Sequence, residues 1–204
     1  MMASGNGSNV QAVLDACATG RLAADVVAVV SDQAAAGALA RAATAGVPAF
    51  HVERHDGEAR GDYDARLGDV VDALAPDLVV LAGWMRILTM AFLGRFPDRV
   101  LNLHPALPGE LPGTHAIERA WREAMAGERT STGVMVHLVP SASVDDGPVL
   151  GTATIDIRPD DTLDALTVRI HAAEHSVLVD VLHELIAGFV HAETATPLPI
   201  PARS

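Results

Sequence analysis

The sequence predicts an α/β protein: a Rossmann-like arrangement with a mostly parallel, twisted sheet and helices on both faces. Two observations carry this. Short apolar runs rich in β-branched residues alternate with segments whose apolar residues recur at helical spacing, the signature of βαβ units. The last two strand candidates are joined by a turn-rich loop with no helix between them, which predicts an antiparallel C-terminal strand pair.

The elements follow in order. Val10–Thr19 carries apolar residues at helical spacing after a glycine turn. Asp25–Ser31 (DVVAVVS) is a β-rich run, and the alanine-rich Gln33–Ala45 reads as a helix stopped by Gly46 and Pro48. Val47–Val52 is a short strand candidate. Asp62–Leu74 is a helix with Leu67, Val70, Val71 and Leu74 on one side, and Leu78–Ala82 is a buried strand. A helical turn or two across Met85–Phe96 leads to the strand Val100–Leu103. His115–Ala126 is a helix. Gly133–Val139 and Val149–Ile157 are strands joined by the loop Pro140–Pro148. Asp160-Asp161-Thr162 opens a long helix running to about Ala187, since acidic residues suit a helix start. The domain is expected to span residues 1–190, with a proline-rich tail over 191–204 that is loose from Thr194 on.

Half of the 204 residues are hydrophobic and aromatics are only 3%, so one domain with an Ala, Val, Leu and Ile core is expected. The formal charge of −12 argues against non-specific nucleic-acid binding but not against small anionic substrates. The single cysteine, Cys17, forms no internal disulfide and fits a reducing cytoplasm. No signal peptide is evident, and the longest apolar run falls far short of the ~18 residues a membrane span needs. A cytoplasmic monomer or homodimer without membrane or nucleic-acid partners is the resulting expectation.

Val100–Pro105 carries the most chemistry. On a strand, residues i and i+2 face one side, so Asn102 and His104 point together into the cleft at the strand end, where Pro105 stops the ladder. The pair offers a neutral donor and a group that titrates near neutral pH. The loop Val144–Pro148 supplies Asp145, a carboxylate that would raise the His104 pKa and favour the imidazolium. Plain turn chemistry is the competing explanation for Asp-Gly-Pro. Ser4–Asn9 (SGNGSN) places glycines at a helix mouth, where backbone N–H groups and the helix dipole suit a phosphate. A dinucleotide site is the rival, with Asp32 as the ribose-binding acid, but its third glycine is replaced by Val10. His171 and His175 stand at i, i+4 on the long helix, a possible metal pair. No further ligands sit at a telling spacing, so a polar helix face is favoured and no metal is expected.

Taken together, SGNGSN (4–9), LAGWMRIL (81–88), NLHPALPGELPG (102–113), VHLVP (136–140), VDDGP (144–148) and AEH (173–175) occur in an order that resembles the phosphoribosylglycinamide formyltransferases of purine biosynthesis. The resemblance runs from Ser4 to about Ala187. It implies a mostly parallel seven-stranded Rossmann-like sheet, 10-formyltetrahydrofolate as co-substrate, and glycinamide ribonucleotide as formyl acceptor. By resemblance, Gly7, Ser8 and Asn9 bind the ribonucleotide phosphate and Glu174 its ribose. Met85, Arg86, Ile87 and Leu88 hold the pteridine through backbone groups, with Arg60 and Asn102 also facing the folate. Asn102, His104 and Asp145 form the catalytic trio, the first two stabilising a tetrahedral intermediate with His104 protonated, and His137 supports them.

Three departures from the family pattern stand out. Only Met1-Met2-Ala3 precede the glycine loop where the family has a full strand, so the first strand is expected to be truncated and the native protein a few residues longer. Pro108-Gly109 follows Leu107 where Leu-Pro is usual. Ser141-Ala142-Ser143 is unusual before Asp145. The alternatives are a 10-formyltetrahydrofolate hydrolase, a methionyl-tRNA formyltransferase, an inactive folate- or nucleotide-binding domain, and a nicotinamide oxidoreductase.

Overall fold

Strands and helices alternate as the sequence predicts in the computed structural model, which describes residues 1–194, with side chains through residue 188. The elements are α1 (Ser8–Ala18), β1 (Val29–Ser31), α2 (Gly37–Thr44), β2 (Ala49–His51), α3 (Arg60–Asp72), β3 (Val79–Leu81), α4 (Met90–Leu93), β4 (Val100–His104), α5 (Ala116–Met125), β5 (Ser131–Leu138), β6 (Val149–Asp156) and α6 (Leu163–Thr194).

The order across the sheet is β2, β1, the Met1–Ala3 segment, β3, β4, β5, β6. β1 and β2 pair in parallel, as do β3 and β4. Met2 bridges in parallel to both Val30 and Leu81. β4–β5 and β5–β6 are antiparallel. The six named strands plus this segment make the seven sheet positions that the resemblance implies. Short as it is, the expected truncated first strand pairs with both of its neighbours. Met2 N donates to Val80 O at 2.8 Å, Ala82 N to Met2 O at 2.8 Å, Ala3 N to Val30 O at 3.0 Å and Val30 N to Met1 O at 2.9 Å. The chain winds from this central position to β1 and β2 on one side and returns to β3 on the other. Such a reversal opens a crevice at the C-terminal strand ends.

Alternate strand residues feed opposite faces. Val29, Val80, Leu101 and Leu103 pack with Val10, Val13, Leu178 and Leu182 under α1 and α6. Val30, Val79, Leu81 and Val100 pack with Tyr63, Leu67, Phe92 and Phe96 under α3 and α4. A third cluster joins α5 to β5 and α6 through Ala120, Val134, Leu166 and Ile170.

Several boundaries shift by a residue or more from the sequence reading, and three of these shifts bear on the fold. The run from Asp25 forms ladder only from Val29, whose N donates to Pro48 O at 2.9 Å, while the Met1 amino group donates to Ala28 O at 2.8 Å. Residues 33–36 are a turn, with Ala36 N on Gln33 O at 3.1 Å, and the helix begins at Gly37. The last helix continues past Ala187 to Thr194, so 191–194 belong to it, and the rest of the expected proline-rich tail lies outside the described residues. Among the described residues, no helix is long and apolar enough to cross a membrane.

Candidate active site

The crevice at the strand reversal holds a cavity of about 500 Å³, within the usual range for small-molecule sites. Three strand-end loops open onto it: 4–9 after the central segment, 82–88 after β3 and 105–114 after β4. The β5–β6 loop closes it from the side and α6 from one end.

At its centre stand Asn102, His104, His137 and Asp145, all lining the cavity. Asn102 pairs across the ladder with His137, and the β-bulge between Val136 and His137 falls at this point. Bulges re-aim side chains. The Asn102 amide donates from Nδ2 to Asp145 Oδ1 at 3.0 Å and lies 3.2 Å from His137 Nε2. His137 Nδ1 is 2.8 Å from the Leu138 carbonyl, which only accepts, so Nδ1 carries the proton and Nε2 accepts from Asn102. Asp145 comes from a residue with φ of 52°, a left-handed conformation that aspartate tolerates better than most residues. Its Oδ2 accepts from Gly113 N at 2.8 Å and stands 3.4 Å from His104 Nδ1. His104 Nε2 lies 3.1 Å from Leu111 O and donates to it. Gly147 makes room for this loop: a Cβ there would lie 1.7 Å from the Leu138 carbonyl oxygen.

Burial decides the electrostatics. His104 is 4% exposed, and burial, opposed by the Asp145 charge and the Leu111 hydrogen bond, leaves its pKa below the ordinary value. This corrects the expected rise. Asp145 pushes upward as anticipated, but desolvation outweighs it, so the resting ring is neutral near pH 7. Burial alone would raise the Asp145 carboxyl. The nearby His137 ring, the Gly113 N–H and the His104 ring outweigh it and hold the group below the ordinary carboxylate value. Both Asn102 amide hydrogens are engaged, on Asp145 and His137, so in this arrangement the free atom of that side chain is the acceptor Oδ1 rather than the expected oxyanion donor.

At one end of the cavity, Gly7 caps α1 in the left-handed conformation, with no side-chain cap and no acidic residue in the first turn. A helix start left in that state is a ready anion site. A Cβ on Gly7 would meet Ala38 Cα at 2.5 Å, so this cradle needs glycine. Gly7, Ser8 and Asn9 all line the cavity, as does Glu174 of α6. Asn9 Nδ2 donates to Glu174 Oε2 at 3.2 Å, while Asn9 Oδ1 is buried without a protein partner. Burial raises the Glu174 carboxyl, opposed by Asn9 and His171. An orphan acceptor beside a buried carboxyl group fits a hydroxyl-rich ligand. His171 Nε2 lies 4.0 Å from Glu174 Oε2, and among the described residues no cluster of three or more His, Cys, Asp or Glu is placed to hold a metal ion.

At the other end, Met85, Arg86, Ile87 and Leu88 line the wall together with Trp84, whose buried Nε1 has no protein partner. An unpaired donor beside loop backbone and the exposed Met85 and Ile87 side chains suits a flat ring bearing heteroatoms. Arg60 stands outside this wall: its Nε donates to Ile87 O at 2.9 Å. Asp32, the acid of the dinucleotide reading, lies beneath the loop and accepts from Arg86 Nε at 2.7 Å. Burial opposes its ionisation, but hydrogen bonds from Ser4, Gln33 and Arg86 together with the Arg86 charge hold its pKa low. Sequence reasoning missed the Leu111 carbonyl, the Gly113 amide and the orphan donor of Trp84. The first two depend on loop conformation, and only the tryptophan was visible as a residue type.

A family model described as formyl transferase matches residues 1–182. A phosphoribosylglycinamide formyltransferase of Schizosaccharomyces pombe is 41% identical over 198 residues, covering 91% of this chain and 95% of its own length. The enzyme of that name from Escherichia coli is 38% identical over 177 residues, covering 87% and 81%. Among solved structures, glycinamide ribonucleotide transformylase 1 from Symbiobacterium toebii matches with a TM-score of 0.85 at 38% identity, covering 92% of this chain and 86% of that one.

Proposed function

Because this chain belongs to the formyl transferase family, we propose that its cavity moves the formyl group of 10-formyltetrahydrofolate onto the amine of glycinamide ribonucleotide, a step of purine biosynthesis. The observation that carries the site assignment is the position of the Asn102–His104–Asp145 group. It stands on one cavity wall with the Gly7 cradle at one end and the Trp84–Leu88 loop at the other.

The α1 start takes the phosphate, with Gly7, Ser8 and Asn9 around it, and Glu174 takes the ribose hydroxyls. The Met85–Leu88 backbone and the Trp84 N–H take the pteridine. Arg60 serves this end through the Ile87 carbonyl.

The amine nitrogen attacks the formyl carbon, a C–N bond forms, and the carbonyl oxygen becomes an oxyanion. Asn102 Oδ1 accepts from an N–H of the incoming amine and orients its lone pair. The proton lost by that nitrogen passes to His104 Nδ1, which faces Asp145 Oδ2 and so gains a charge partner as it is protonated. The imidazolium then stabilises the oxyanion and returns the proton to N10 of the folate as the N10–C bond breaks. The products are the formylated ribonucleotide and tetrahydrofolate.

The test is a mixing experiment following tetrahydrofolate release from 10-formyltetrahydrofolate. Release only when glycinamide ribonucleotide is present supports the transferase. Equal release without it makes the protein a hydrolase, and no release with both substrates overturns the reading.

A further inference from the structure

The Trp84–Leu88 loop has no regular secondary structure, yet side chains from three separate elements hold it from behind. On α3, Arg60 and Asp64 stand at i and i+4, hence on one helix face. They reach two positions that are likewise neighbours on the loop: Arg60 Nε holds Ile87 O at 2.9 Å, and Asp64 Oδ2 holds Thr89 N at 2.6 Å. Beyond the end of β1, Asp32 Oδ2 holds Arg86 Nε at 2.7 Å, and the guanidinium lies over the Tyr63 ring at 5.7 Å. From the central segment, Ser4 Oγ accepts from Met85 N at 3.0 Å. Asp64 is 1% exposed and stands outside the cavity wall. A carboxylate buried that deeply, with a backbone amide as its recorded hydrogen-bond partner, costs desolvation free energy that an ordinary core residue would not.

We propose that Asp64 is a positioning residue for the folate co-substrate, fixing the loop through the Thr89 amide while Asp32 fixes it through Arg86. This rests on the loop being the pteridine site. The two pins set the loop backbone in its binding geometry before the ligand arrives, so the ordering cost is not taken from folate affinity. Neither makes a hydrogen bond or ion pair with Gly7, Ser8, Asn9 or Glu174, so the ribonucleotide end is expected to keep its affinity.

The test is a pair of substitutions read by steady-state kinetics for both substrates and by calorimetric binding of tetrahydrofolate, which needs no turnover. Asp64→Ala is expected to raise the KM for 10-formyltetrahydrofolate and the Kd for tetrahydrofolate about tenfold, the scale of one lost charge-assisted hydrogen bond. The KM for glycinamide ribonucleotide stays unchanged, and Asp64→Asn, which keeps an acceptor oxygen, restores folate binding. Unchanged folate constants with a lower kcat, or an Asn variant as weak as the Ala variant, overturn the proposal. If Asp64→Ala does not fold, Asp32→Asn carries the test: folate constants rise severalfold if the pins position the loop, and unchanged constants refute it. A wild-type protein that binds no tetrahydrofolate defeats the functional reading itself, a result distinct from normal wild-type binding with indifferent variants.

Discussion

Asn102 and Asp145 lie 43 positions apart and meet at 3.0 Å, and the same carboxylate reaches His104 through its other oxygen at 3.4 Å. One aspartate therefore fixes both members of the strand-borne pair. It engages the amide nitrogen and leaves the amide oxygen as that side chain's free atom, and it stands as the counter-charge beside a ring whose pKa burial lowers.

That arrangement predicts a pH profile. With His104 as the proposed proton acceptor, kcat/KM is expected to rise with pH through its pKa, which lies below the ordinary 6.5. Asp145 pulls that pKa upward. Asp145→Asn removes the pull, so the acidic limb of the profile moves to lower pH while the plateau rate falls. A limb that stays in place, or moves to higher pH, contradicts the pairing.

Removing either strand-borne group strikes the chemistry itself. Asn102→Ala and His104→Ala are each expected to lower kcat by about 10²–10³, the usual loss for a group that acts in the transition state. Circular dichroism and thermal melts should show the fold intact. Near-normal turnover of either purified variant contradicts the assignment.

Gly147→Ala tests the loop from a distance. The added Cβ would sit 1.7 Å from Leu138 O and 3.1 Å from His137 Nδ1, so the carbonyl that fixes the His137 tautomer must move. Overpacking of this kind costs roughly 1–3 kcal/mol. Urea unfolding should register that loss, and kcat should fall with it, although Gly147 does not line the cavity. A variant as stable and active as wild type would refute this account.

The start of α6 carries an acid-sensitive lock. Hydrogen bonds from Arg169, then the Arg158 amide, outweigh burial and hold the Asp161 carboxyl at about 2. The unfolded carboxyl titrates near ~4. The stabilisation is therefore complete above that value and is lost as pH falls from about 4 through about 2. Asp161→Asn should flatten the stability profile in that window and leave its shape above pH 5 unchanged. An unaltered acid limb rules the lock out.

What was legible in the sequence follows the range of the interactions. The strand run with Asn102 and His104 two residues apart predicted a shared face, because side-chain alternation is local. The glycine cradle was readable for the same reason, since a helix start with φ-permissive residues has a short signature. The direction of the His104 shift was not legible: the chain names Asp145 as a neighbour but does not state how much solvent the fold removes. Arg60 was placed at the folate end, yet its contact with Ile87 O depends on a loop whose backbone has no periodic signal. The expected end of the last helix near Ala187 was too early: the helix runs on through Gly188, since one interior glycine costs only about 1 kcal/mol.

Glu174 belongs to a helix whose turns on either side are set in two different parts of the interior: Leu166 and Ile170 in one cluster, Leu178 and Leu182 in another. Amides around such a residue are expected to exchange with solvent through opening of the interior rather than by local fraying. The Glu174 wall of the cavity is thus tied to the opening free energy of the whole interior. Changes that loosen the interior are expected to weaken ligand binding at that end of the cavity even when they lie far from it.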